Sequence, residues 1–320
     1  MTCHVVWDRI DAESKPALDI LWEALPGGLN GIPDIVARRA AYEAFRAAAP
    51  KGEFPDLNVS DHSYAGPQDD LSLRLYQPKN ATSPAPGLIY IHGGGMIMGN
   101  LESQDEVLKI TASELGIPIA SIDYRKAPEH PYPAATEDCY AGVCWVFDNA
   151  TALGMDVNNI GLMGASAGGG LALATALMLR DREGPKLKYL LPIYPMIDDR
   201  HHTASSKTVL DIGIWDREGS IEAWNWYLGD SAPDAYAAPA RAEDLSGLPP
   251  TYIDVGDLDL FRDEDILMAQ RLSAAGVPVE FHLWTGAYHA SELFAPQAAL
   301  SQRIWATRYA AIRRLAGIES

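Results

Sequence analysis

The feature that most narrows what this chain can fold into is a series of short, nearly uninterrupted apolar runs. They read GLIYI (87–91), IPIASID (117–123), NIGLMG (159–164), YLLPIYP (189–195), TYIDVG (251–256) and VEFHLW (279–284). Runs of this kind suit strands covered on both faces. Segments of helical period separate most of them, around 103–115, 134–150, 168–182, 263–275 and 290–315. Strands alternating with helices predict an α/β protein with a mostly parallel central sheet flanked by helices. Strand character starts near residue 57, and Leu71, Leu73 and Leu75 alternate with Ser72, Arg74 and Tyr76 at the period of a half-buried strand.

Two regions depart from this rhythm. The first fifty residues read as helices. Ser14 is placed to cap a segment with Leu18, Leu21, Trp22 and Leu25 on one face, broken at Pro26, Gly27 and Gly28. A second segment starts near Pro33, sets Ile35, Arg39, Tyr42 and Phe45 on one face, and stops at Pro50. Between Pro195 and Pro249 no central strand is evident; Trp215, Trp224, Trp226 and Tyr227 recur at roughly helical spacing, as in an insertion packed on the sheet's edge or over its top.

Ile160 to Leu179 runs twenty residues without a charge, the length of a membrane span, but five of them are glycine. A strand, a tight turn and a buried helix account for that pattern better. The opening MTCHVVWDRIDAESK lacks a basic start followed by an apolar run, so no signal peptide is expected. Lys and Arg total 25 against 43 Asp and Glu, a formal charge of -18. That balance argues against nucleic acid and against anionic membrane surfaces as partners. Cys3, Cys139 and Cys144 form no disulfide framework, which fits a reducing, cytoplasmic setting; the last two read as buried small residues.

Gly164-Ala165-Ser166-Ala167-Gly168 follows one apolar run and opens a helical segment. In a strand–turn–helix this pattern throws a serine hydroxyl out above the sheet, at the positive end of the helix, as a nucleophile. His92-Gly93-Gly94-Gly95 directly follows GLIYI. Its glycines let backbone N–H groups converge on a point, as donors to an oxyanion must. A phosphate loop is the poorer reading, because no Lys-Ser/Thr pair follows and no dinucleotide fingerprint appears.

A serine nucleophile needs a histidine base, which in this architecture comes after the serine and after an acid. Of the eight histidines, His201, His202, His282 and His289 qualify by order. His282 lies inside a strand run, where a structural role is expected. His201 and His202 lie in the suspected insertion, where mobility is expected. His289 sits in the loop Gly286-Ala287-Tyr288-His289-Ala290 after the last strand, at the carboxyl end where such sheets bind ligands. For the acid, Asp254 falls within a strand run and reads as structural. Asp257 and Asp259 both remain open on spacing. Asp263, Glu264 and Asp265 read as acids favoured at a helix N-terminus. A metal site at Asp198, Asp199, His201 and His202 is disfavoured against a solvated polar turn, since adjacent residues rarely converge on one ion.

HGGG (92–95), DYRKAPEHPYPAA (123–135), GASAGG (164–169), DLFRDE (259–264) and AYHA (287–290) occur in one order across residues 57–315. In these motifs the chain resembles the hormone-sensitive-lipase family of α/β-hydrolase esterases, in its bacterial branch. The DYRKAPEHPYPAA stretch is especially specific to that family, although no local physical argument singles it out. The resemblance implies an α/β-hydrolase core over 56–195 and 246–320, with a helical cap joining 1–55 to 196–245. It implies Ser166 as nucleophile, His289 as base and Asp259 as acid, with oxyanion donors at the N–H groups of Gly93, Gly94 and Ala167. Two positions depart from the family: Ala165 stands where Asp or Thr usually precedes the serine, and Met96 where a large aromatic often follows HGGG.

The expected activity is that of a serine carboxylesterase on short- to medium-chain small-molecule esters, working through an acyl-enzyme without cofactor or metal. The same triad also serves amides, lactones and carbamates, and receptors that bind ligands on this fold lack the histidine. The resemblance further implies a homodimer through the last strand, at the sheet's edge.

Overall fold

The computed structural model describes residues 7–25, 27–48, 51–209 and 214–318, so Cys3, Pro26 and Pro50 lie outside the described residues. Two helices come first, α1 (Lys15–Ala24) and α2 (Ile35–Ala47). Ser14 stands at the N-cap of α1 but caps nothing: its N–H and hydroxyl both donate to Asp11 Oδ2, at 3.0 and 2.9 Å. Asp11, three residues upstream, accepts from Ser14 instead, and no side-chain hydrogen bond from Ser14 caps α1. Asp34 does cap α2, its Oδ1 accepting from the Ala37 N–H at 2.8 Å. The one fully buried side chain of α2 is Arg38, not a member of the predicted apolar face.

The core then alternates strand and helix: β1 (Leu57–Ala65), β2 (Asp70–Pro78), β3 (Ala85–Ile91), α3 (Asp105–Leu115), β4 (Ile119–Ile122), α4 (Ala134–Asp148), β5 (Met155–Ala165), α5 (Ala167–Asp181) and β6 (Tyr189–Ile193). Two short helices follow, α6 (Ala204–Thr208) and α7 (Arg217–Leu228). Between Ile193 and Thr251 there is no strand among the described residues, as the sequence predicts. The chain closes with β7 (Thr251–Gly256), α8 (Arg262–Ala274), β8 (Val279–Trp284), α9 (Ser291–Phe294) and α10 (Ala299–Ala316). The single helix predicted over 290–315 is therefore two. Pro296 lacks the N–H that an unbroken helix needs and stands in the break.

The eight strands form one sheet in the order β1-β2-β4-β3-β5-β6-β7-β8. β1 and β2 pair antiparallel, β2 joins β4 antiparallel, and every pair from β4 to β8 is parallel. The charge-free stretch 160–179 resolves into the end of β5, a tight turn and the buried helix α5. No helix among the described residues is long and apolar enough to cross a membrane.

One polar cluster interrupts the apolar core beneath the carboxyl end of the sheet. Arg308, on α10 and 1% exposed, donates to both carboxylate oxygens of Asp254 at 2.8 and 2.9 Å, and to Glu292 Oε1 at 2.7 Å. Tyr252 donates to the same Asp254 carboxylate at 2.9 Å, and Tyr194 to Glu292 at 2.6 Å. Asp254 is thus structural, as its strand position predicts. Removing the cation strands two buried carboxylates, a loss worth about 3–5 kcal/mol. Arg308→Met is expected to lower the unfolding free energy by about that amount in urea titrations; a midpoint equal to that of the wild type would contradict the role given to this cluster.

Candidate active site

Ser166 occupies the turn between β5 and α5 with φ +59° and ψ -123°. Its carbonyl accepts from Gly170 and Met196, and its N–H donates to the Ile193 carbonyl at 2.9 Å. The helix start lies so close to β3 that a Cβ on Gly168 would stand 2.1 Å from the Ile91 carbonyl oxygen. Only glycine fits there. The HGGG loop leaves β3 beside this turn: a Cβ on Gly93 would lie 3.3 Å from Ser166 Cβ. Gly94 has φ +119° and runs against the Met98 carbonyl, 2.3 Å from where a Cβ would be. Gly93, Gly94, Ser166 and His289 all line one narrow cavity of about 60 Å³.

His289 Nε2 lies 2.9 Å from Ser166 Oγ, and its Nδ1 lies 2.7 Å from Asp259 Oδ2. Asp259 is 1% exposed, and its other oxygen accepts from the Phe261 N–H at 2.9 Å. Asp257, the alternative on spacing, faces elsewhere. Its carboxylate accepts from the Gly286 N–H at 2.7 Å and from Arg9 at 2.5 Å. The rings of Phe261 and Tyr194 pack against the imidazole in T-shaped arrangements, with centroids at 5.2 and 4.9 Å. The structure therefore brings Ser166, His289, Asp259 and the HGGG loop together, and Ala167 opens α5 next to the serine.

The other candidates lie apart from this cavity. His282 Nε2 meets Glu280 at 2.8 Å, and its ring stacks on Trp284. His201 is buried and bonded to Ser220 and to the Asp199 carbonyl, so the mobility expected of it gives way to a fixed structural role. The carboxylates of Asp198 and Asp199 are engaged by Arg200 and Arg241. Among the described residues no group of His, Cys, Asp and Glu is arranged to hold a metal ion. Cys139 is buried and Cys144 half-buried, both as free thiols.

Residues 123–135 acquire a physical reason here. Asp123 Oδ1 lies 3.2 Å from His92 Nε2, Tyr124 stacks on the His92 ring, and the Tyr124 hydroxyl donates to the His92 carbonyl at 3.0 Å. Burial alone would raise the Asp123 carboxyl, but His92 and Lys126 hold it well below the usual carboxylate range. The Ala127 N–H donates to the Met96 carbonyl at 3.0 Å. The stretch thus clamps the HGGG loop from behind. Met96 itself is buried and does not line the cavity, whereas Ala165 does. Tyr194, Phe261 and Asp123 escape sequence reading because their roles rest on contacts across the sheet, not on local pattern.

A serine held in this turn, above a parallel sheet of this strand order, defines the class of α/β hydrolases. The chain belongs to the alpha/beta hydrolase fold family, in its hormone-sensitive-lipase-like branch, and the family's sequence model matches residues 88–293. Esterase LipI of Mycobacterium tuberculosis is 36% identical over 280 residues, spanning 85% of this chain and 87% of LipI. The arylesterase of Saccharolobus solfataricus is 33% identical over 268 residues, spanning 79% of this chain and 82% of its own. Among solved structures, a bacterial heroin esterase superposes with a TM-score of 0.90 at 36% identity, covering 98% of this chain and 99% of that one.

Asp263, Glu264 and Asp265 all fall in the first turn of α8, as expected. Asp263 accepts from the Ser205 N–H, as a surface-side acid can, but Glu264 and Asp265 are buried. Burial pushes both carboxyls well above the usual range, and Asp265 has no hydrogen-bond partner among the described residues. They are core acids whose burial disfavours the charged form. A raised folded-state pKa means that stability present below the unfolded pKa, near 4, is lost as pH rises through the folded value. Asp265→Asn removes that titration. Its melting temperature relative to the wild type is expected to rise steadily from pH 4 to pH 8; a difference independent of pH would show Asp265 ionised in the folded protein.

Proposed function

We propose that this chain is a serine carboxylesterase acting on short- to medium-chain esters, and that Ser166, His289 and Asp259 are its triad. The observation that carries the reading is the unbroken chain Ser166 Oγ, His289 Nε2 at 2.9 Å, and His289 Nδ1 to Asp259 Oδ2 at 2.7 Å, opening on a cavity. The esterase names of the relatives support it.

In this reading Ser166 Oγ attacks the ester carbonyl as His289 Nε2 takes its proton. Asp259 fixes the tautomer and stabilises the imidazolium. The N–H groups of Gly93, Gly94 and Ala167 receive the oxyanion. His289 returns its proton to the departing alkoxide, which leaves as the alcohol with an acyl-enzyme behind. Water, deprotonated by His289, attacks that acyl group, and the proton returns to Ser166 as the acid departs. Residues of this chain supply every proton transfer.

We assign the cap to residues 1–55 and 196–245, and the core to 56–195 and 246–320. Leu29 and Tyr42 from the first cap segment and Ile214 and Trp215 from the second all line the cavity, and Arg38 on α2 donates to Glu222 on α7 at 2.5 Å. A roof built this way favours short acyl groups. Two free cysteines support a reducing, cytoplasmic setting, and the β8 edge suits pairing of two copies.

Ser166→Ala is expected to lower kcat by several orders of magnitude with the fold retained, and an organophosphate should label Ser166 alone in the wild type. Asp259→Asn is expected to cost on the order of 10³- to 10⁴-fold in kcat, and Asp257→Asn far less; the reverse ranking would overturn the choice of acid. Rates on p-nitrophenyl acetate and butanoate should exceed those on long-chain triglyceride emulsions, and a preference for the emulsions would contradict the cap.

A further inference from the structure

The wall of the Ser166 cavity is mostly apolar, from Leu29, Met98, Ile214, Leu293 and Phe294. Two buried polar side chains in that wall are unsatisfied. Gln104, the residue before α3, is 3% exposed, and its carboxamide oxygen has no hydrogen-bond partner among the described residues. Trp215 is 4% exposed, and its indole N–H has none either among the described residues.

The groups around Gln104 are already committed to one another. The Ser103 N–H donates to Asn100 Oδ1 at 2.9 Å, and the Ser103 hydroxyl to the Asn100 carbonyl at 2.7 Å. The Ser103 carbonyl accepts from Arg46 Nε at 2.8 Å. Asp105 accepts from Tyr76 at 3.0 Å and from Arg74 at 3.1 Å. The turn into α3 is thus satisfied without the Gln104 side chain. A residue serving only to fill this space would be apolar, since an unpaired buried amide weakens the folded state. Leucine or methionine has similar volume and no such cost.

We propose that Gln104 is a specificity-determining residue, whose carboxamide oxygen accepts a hydrogen bond from a hydroxyl or N–H that the ester carries close to its scissile carbonyl. Trp215 contributes the opposite polarity, so the wall offers one acceptor and one donor. A hydroxyl or carboxamide on the substrate can answer the Gln104 acceptor, whereas a plain alkyl ester offers it nothing. A site built around a polar group discriminates against the analogue lacking its partner more strongly than an apolar wall discriminates between alkyl groups. The inference rests on the esterase reading above and narrows its substrate class to small hydroxylated or amide-bearing esters.

The test compares kcat/KM on matched pairs. On the acyl side these are p-nitrophenyl butanoate with its 2-hydroxy and 3-hydroxy counterparts; on the alcohol side, ethyl with 2-hydroxyethyl butanoate. In the wild type at least one hydroxylated ester is expected to exceed its plain partner by about tenfold, the worth of one good hydrogen bond. Gln104→Met should bring that ratio close to one. Gln104→Asn, which keeps the amide but shortens its reach, should also lower it and serves if the methionine variant does not fold. A wild type that hydrolyses plain esters with no preference in any pair overturns the inference and leaves the esterase reading standing. A wild type that hydrolyses no ester overturns the reading beneath it. Variants that slow both members of a pair equally, with the ratio kept, assign Gln104 a structural role and also overturn the inference.

Discussion

The parallel pairing of β3 with β5 is the constraint on which the site depends. Its register sets Ile91 opposite Gly164, so the two strands end side by side. One strand runs on into the glycine loop and the other into the serine turn. Because β4 flanks β3 on its other side, chain connections diverge here to opposite parts of the sheet, which opens a crevice at the carboxyl ends. The positive φ of Ser166 and the contact of Gly168 with the Ile91 carbonyl are the local terms of that same closeness. A side chain at position 168 would push the loop and the turn apart, and with them every donor aimed at the cavity.

Much of the architecture was legible because burial on both faces leaves a mark in the sequence. Runs such as YLLPIYP and TYIDVG show no solvent-facing alternation, and they became β6 and β7. The loop position of His289 also pointed to the carboxyl end of the sheet. Asp257 and Asp259 could not be separated by local pattern, because both follow β7 and differ only in which partner crosses from β8. That partner is the Gly286 N–H for one and the His289 imidazole for the other. The motif at 123–135 was recognisable only as a family signature, since its work is done on His92, some thirty residues away. Glu264 and Asp265 were legible as first-turn acids but their burial was not, because an acid at a helix start looks alike whether the helix faces water or the core.

Polar groups buried under the site divide into two kinds. The Arg308 cluster is saturated, with Asp254 and Glu292 sharing one guanidinium and two tyrosine hydroxyls. Tyr194 belongs to this cluster through its hydroxyl and to the imidazole through its ring, so the cluster braces the His289 side of the cavity. Gln104 and Trp215 are the opposite case, polar but unsatisfied. A satisfied network such as the Arg308 cluster holds a shape.

The beginning of the chain is fastened to the loop that carries His289. The Asp11 N–H donates to the Gly286 carbonyl at 3.0 Å, Tyr288 donates to the Ser14 carbonyl at 3.3 Å, and Arg9 meets Asp257. These contacts join residues more than 240 positions apart, as the Arg9–Asp257 separation of 248 shows. On the ribosome, residues 9–14 emerge early and find all these partners only after β8 and the loop behind it are made. The loop that carries the base thus takes its final hold on chain translated long before it.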